Sequence, residues 1–146
     1  MTSAVVFTFA VADGLKPVVG AAPYDVLSRQ IPRALVTRLN GENDRGLRFF
    51  PFLGPVDGQR SFLRLRELLA PKALAALHKQ EDVDILVDGL IYQDRIEWRV
   101  LDGNSSTVRM SMELPFDPVA PFTVLPRIEF EVAGMLGWSG VSNHVT

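Results

Sequence analysis

At 146 residues, 47% hydrophobic and 22% charged, the chain has the length and composition of one globular domain with room for a sizeable core. Its formal net charge of −2 excludes a global attraction to nucleic acid or to an anionic membrane. The absence of cysteine excludes disulfides, thiolate metal sites and a cysteine nucleophile.

The opening run, Ser3 to Ala12, ends Ala10-Val11-Ala12 in the manner of a cleavable leader. No Lys or Arg precedes it, and it is too short to span a bilayer. We read Ala4 to Val11 as a buried first strand, with Val5, Phe7, Phe9 and Val11 on one face, and the compartment as cytoplasmic, with a periplasmic location as the minor alternative. Pro23 suits the first turn of a helix reaching Asn40, with Tyr24, Leu27, Ile31, Leu35 and Leu39 as its apolar stripe and Asn40-Gly41 as its stop. Pro32 interrupts that pattern and predicts a kink or a late helix start.

Gly46 to Phe52 reads as a second strand, which Pro51 confines to an edge or terminates. Residues 53–59, LGPVDGQ, are turn-forming. Ser61 to Lys79 carries helical stripes in two pieces, the second starting at Pro71. Three strands then follow at 83–93, 95–102 and 106–116, separated by Asp94 and by Asp102-Gly103-Asn104. The first is apolar on both faces, as a central strand must be. The last alternates Val108, Met110, Met112 and Leu114 against Arg109, Ser111 and Glu113, and so has one wet face. Pro118 to Leu136 reads as a final helix with Phe122, Leu125, Ile128, Val132 and Leu136 inward.

The order βαβαβββα predicts a three-layer α/β/α domain over residues 1–137. Its five-stranded mixed sheet has the order 2-1-3-4-5, strand 4 antiparallel, and helices on both faces; residues 138–146 form a flexible tail or linker.

The run from Asp82 to Asp117 resembles the N-terminal α/β domain of TolB and the FlgO-type domains found ahead of tetratricopeptide arrays in bacterial proteins. The matching positions are Gly89, Gln93-Asp94-Arg95, Val100-Leu101-Asp102 and Phe116-Asp117. The opening strand and the Tyr24 to Leu39 helix fit as well. The resemblance implies the same fold and a non-catalytic role in protein assembly, and it carries over no catalytic residue and no cofactor.

Chemistry-bearing clusters are sparse. Asp82, Asp84 and Asp88 could gather carboxylates for a divalent ion, against a plainer reading as a solvated strand entry and a polar residue beside a bulge at Gly89. Asp88 in a central strand needs a partner, for which an Arg from a covering helix is expected. His78 and His144 stand far apart without a metal-ligand spacing, and Ser139 lacks the nucleophile-elbow context. We therefore expect no enzyme activity.

Partner binding is expected at Phe50 and Phe52 on the second strand and at Leu53 just beyond it. It is expected also on the basic stretch of Arg60, Arg64 and Arg66, and at Arg109 and Ser111 on the last strand. For Phe49 and Phe50 the competing reading is burial on opposite faces of a covered sheet. The alternative function is a small-ligand or RNA-binding module whose crevice, at the carboxyl ends of strands 1 and 3, is lined by Asp13-Gly14 and Gln93-Asp94.

Overall fold

The computed structural model describes residues 4–41, 47–50, 53–56, 58–62, 65–73, 84–103 and 107–136, without the side chains at 53–56, 60–62 and 136. β1 (Ala4–Phe7) and β2 (Ala10–Val11) lead into α1 (Tyr24–Asn40) and β3 (Arg48–Phe50). A hairpin of β4 (Leu53–Val56) and β5 (Gln59–Phe62) follows, then β6 (Ile85–Ile91), β7 (Arg95–Asp102) and β8 (Val108–Pro115). A 3-10 turn (Pro121–Val124) runs into α2 (Leu125–Leu136). The main sheet has the order β3-β1-β6-β7-β8 with β2 also on β6, while β4 and β5 pair separately. β1 is parallel to β3 and β6, and β7 is antiparallel to both its neighbours. The domain is thus a mixed α/β fold.

The expected first strand is two strands, and the break between them organises the core. Val6 pairs with Val87 and Ala10 with Leu90, so one extra residue is taken up at Thr8-Phe9. The extra residue reverses the side-chain alternation. Val5 and Phe7 stay on one face, but Phe9 and Val11 move to the face of Ala4 and Val6, correcting the single stripe expected from alternation. Phe9 then lies over Gly89, where a Cβ would come 2.8 Å from its ring. β6 and β7 pair without a register shift at that glycine, so it is the space Phe9 occupies and no bulge.

The same break answers Pro32. α1 runs unbroken from Tyr24, with no late start, and buries Leu27, Ile31, Leu35 and Leu39 together with Pro32 itself. Pro32 has no N–H for the carbonyl of Ser28 one turn earlier. The N–H of Phe9, released from the sheet by the break, donates to that carbonyl at 2.9 Å. At the far end Gly41, at φ 59°, donates to Thr37 O and stops the helix. The Asn40 side chain then clamps the Leu47 backbone (Leu47 N–H to Oδ1 3.2 Å, Nδ2 to Leu47 O 3.3 Å) and so sets the entry to β3.

α1 and α2 lie on one face of the sheet, joined by an ion pair of Arg38 with the buried Glu129 (2.5 Å). Between them and the sheet sit Val6, Phe9, Val87, Ile91, Ile96, Trp98 and Val100 with the helix stripes. On the other face Val5, Phe7, Leu86 and Leu101 are packed by Phe50, Leu65 and Leu69. There the described chain at 65–70 is irregular, and residues 71–73 are helical. Helices on both faces are therefore seen only in part.

Three further expectations are corrected. Leu53–Val56 and Gln59–Phe62 form the β4–β5 hairpin, with Gly58 at φ 78° between them, in place of a loop and a helix start. Helix α2 starts at Leu125, not Pro118, because Asp117 first makes an Asx turn onto Val119 N–H (3.0 Å) and Pro121 opens a 3-10 turn. Phe122 is consequently 46% exposed, and Val124 takes the inward place. In β8 a register shift between Val108 and Met110 leaves Arg109 as the extra residue and sets Val108 opposite Leu101, away from the methionine row.

Candidate interaction site

β6 and β7 turn at Gln93-Asp94, where Tyr92 N–H donates to Arg95 O (2.9 Å). That turn sets Asp88 directly opposite Arg99. Both are buried, and they form a bidentate pair: Arg99 Nε to Asp88 Oδ1 at 2.7 Å and Nη2 to Oδ2 at 2.8 Å. Arg99 Nη2 also donates to the carbonyl of Leu69, fastening the 65–70 segment to the sheet. The expected partner of Asp88 was an Arg from a covering helix; it is the neighbouring strand that supplies it. Burial raises the Asp88 carboxyl above its ordinary value, outweighing the hydrogen bonds and charge of Arg99, and Glu97 adds to the rise.

Beyond this pair the same face becomes wet. Glu97 stands opposite Glu113, and Arg99 opposite Ser111. Arg95 contacts Glu113 at 3.5 Å and Asp94 at 3.6 Å, its guanidinium lying 3.9 Å over the Tyr92 ring. Tyr92 Oη reaches Glu97 Oε2 at 3.4 Å. Phe116 N–H donates to Asp94 O (3.0 Å), which sets the phase of the β7–β8 ladder. In that phase Met110, Met112 and Leu114 turn their backbone groups to β7, whereas Ser111 and Glu113 turn theirs outward. Pro115 falls where β7 needs no N–H from it. Among the described residues no strand pairs with the outer edge of β8.

The sequence-derived candidates separate into distinct places. Phe50 is half-buried on Phe7 (ring centroids 5.2 Å), and Phe49 lies under Arg33 of α1 (5.0 Å), so the two occupy opposite faces. Leu53 and Arg60 lie in the β4–β5 hairpin, their side chains undescribed, and Phe52 and Arg64 fall outside the described residues. Arg66 is ion-paired with Asp13. Arg109 and Ser111 are exposed on β8, and no salt-bridge partner of Arg109 is found among the described residues. Asp82, His78, Ser139, His144 and the 138–146 tail lie outside the described residues. Among the described residues no three His, Cys, Asp or Glu are grouped to hold a metal.

At the crevice expected at the ends of strands 1 and 3, Lys16 and Gln93 bridge the two loops. Lys16 N–H donates to Gln93 Oε1 (2.9 Å) and Gln93 Nε2 to Lys16 O (3.1 Å), closing the loop after β2 over the β6–β7 turn. A cavity of about 300 Å³ opens beside it, lined by Leu15, Pro17, Val18, Ala21, Tyr24 and Asp25 among others, none of them an expected crevice residue. The Tyr24 hydroxyl is buried with no hydrogen-bond partner among the described residues, and burial raises its pKa.

Sequence reasoning missed Arg95, Glu97 and Arg99, although a signal for one of them was present. Asp88 and Arg99 are equidistant from the Gln93-Asp94 turn, so a tight antiparallel hairpin had to bring them together.

The fold and edge define a mixed α/β domain whose long edge strand is unpaired among the described residues. No protein-family model and no curated protein matches the chain. Its fold is similar to that of PelC from Paraburkholderia phytofirmans. A single-substitution PelC variant, solved as a dodecamer, superposes at TM-score 0.50 and 9% identity, with 92% of this chain and 87% of that chain covered. A PelC dodecamer in another crystal form gives TM-score 0.49 and 10% identity, covering 95% and 89%. None of the described helices is long and apolar enough to cross a membrane.

Proposed function

We propose that this chain is a non-catalytic assembly module that associates with further copies of itself. The observation that carries the reading is the outer edge of β8, eight residues long and unpaired among the described residues. An open edge of that length is a template for another strand. Its Met110, Met112 and Leu114 are only partly covered by the helix face, and Phe122 and Phe130 nearby in sequence are 46% and 51% exposed.

Two lines of support come from elsewhere. The buried charged side chains, Asp88, Arg99 and Glu129, are each held in a structural ion pair, which leaves them poorly placed for chemistry. The structurally similar PelC is a dodecamer.

Light scattering on a sizing column, over a concentration series, tests this. The expected mass is at least twice the 16.2 kDa of one chain. A monomer at every concentration overturns the proposal.

A further inference from the structure

Resting on the self-association proposed above, we infer that two copies join β8 to β8 antiparallel across a two-fold axis at Ser111, making one continuous sheet. The geometry of the strand carries it. Ser111 and Glu113 direct their backbone groups away from β7, so Ser111 can exchange both hydrogen bonds with its own copy. An axis through Ser111 sets Met110 opposite the second copy's Met112, and Met112 opposite its Met110. Both side chains are only partly buried in one copy and would cover one another.

The same axis sets Arg109 of each copy opposite Glu113 of the other. The charges within one copy call for that partner. Glu113 stands opposite Glu97 in a pair without mutual hydrogen bonds, where side chains come closest, and like charges so placed repel. The one cation on Glu113 among the described residues is Arg95 at 3.5 Å, shared with Asp94 and Tyr92. Arg109, exposed at the register shift, has no carboxylate within reach among the described residues. An isologous contact satisfies both deficits twice, because a two-fold makes each pairing reciprocal.

The test uses the whole chain, which has no native cysteine. Ser111→Cys puts one thiol on each side of the axis, at the ~5.5 Å Cα separation a disulfide accepts. Mild oxidation is expected to give a covalent dimer from Ser111→Cys and not from Glu113→Cys, whose two copies sit several residues apart. Arg109→Glu is expected to weaken association at least ~10-fold, since it places like charges together at both ends of the interface. Arg109→Glu with Glu113→Arg is expected to restore it. A wild type that associates, with no Ser111→Cys cross-link and no effect of charge reversal, overturns the β8 pairing and leaves self-association standing. A wild-type monomer overturns both.

Discussion

The backbone N–H of Phe9 donates to the carbonyl oxygen of Ser28, the acceptor that Pro32 leaves empty inside α1. A break in the sheet and a break in the helix hydrogen-bond ladder thereby cancel. Each would be costly alone, because a buried unpaired backbone group forfeits about 1–3 kcal/mol.

Pro32→Ala should therefore stabilise the domain by roughly 1 kcal/mol. That is less than the ~3 kcal/mol separating proline from alanine in an ordinary helix interior, because the orphan acceptor is already filled. The new N–H at position 32 competes for Ser28 O, so the Phe9 amide should exchange faster with solvent. Chemical denaturation and amide exchange read the two effects separately.

Gly89 gives a sharper constraint. An added Cβ meets the Phe9 ring at 2.8 Å and the Glu97 carbonyl at 3.0 Å. Gly89→Ala should cost about 1–3 kcal/mol as overpacking. Phe9→Leu in the same chain should recover part of the loss and not all of it, since the Glu97 carbonyl remains. A double-mutant cycle with a coupling near zero would contradict the packing described.

Asp88 and Arg99 form a buried pair, so removing one partner should cost more than removing both. Arg99→Met leaves a buried carboxylate alone and should cost about 3–5 kcal/mol. Asp88→Leu with Arg99→Met should cost less than Arg99→Met by itself, the remaining loss being the Leu69 carbonyl left without its donor.

The pH dependence of this pair has a definite sign. In the fold the Asp88 carboxyl titrates above 3.8, its ordinary value, because burial outweighs Arg99. Between 3.8 and the raised value the folded state keeps a proton that the unfolded chain has released. The stability contributed by this group is full below the unfolded pKa and is lost as pH rises through the folded one. The wild-type stability minus that of Asp88→Asn should fall with rising pH on the acid side and then level off.

Tyr24 and Trp98 carry buried polar atoms, Oη and Nε1, that have no partner among the described residues. Tyr24→Phe removes one such atom at nearly constant shape. It should leave stability unchanged or raise it by up to about 1 kcal/mol. A loss of more than that in thermal unfolding would mean the hydroxyl is hydrogen-bonded after all.

Much of the element pattern was legible because it rests on periodicity. The Tyr24 to Leu39 stripe, the apolar run of β6 and the alternation of Met110, Met112 and Leu114 each declare one buried face or two. Local chemistry also set the Gly41 stop. Arg109 and Ser111 were legible as edge residues, whereas Phe50 was harder to read, since an aromatic on an edge strand serves core and interface alike.

What tertiary structure alone decided is where alternation fails. A single extra residue at Thr8-Phe9, and another at Arg109, reverses which face the flanking side chains occupy, and no period in the sequence marks either place. Their causes are distant: the hollow at Gly89 and the open carbonyl of Ser28 select the first. The amino-acid sequence by itself determined which segments bury apolar surface, because burial follows local composition. The face, the partner of Asp88 and the bridge from Gln93 to Lys16 were decided by contacts between residues far apart in the chain, and these exist only once the sheet has formed.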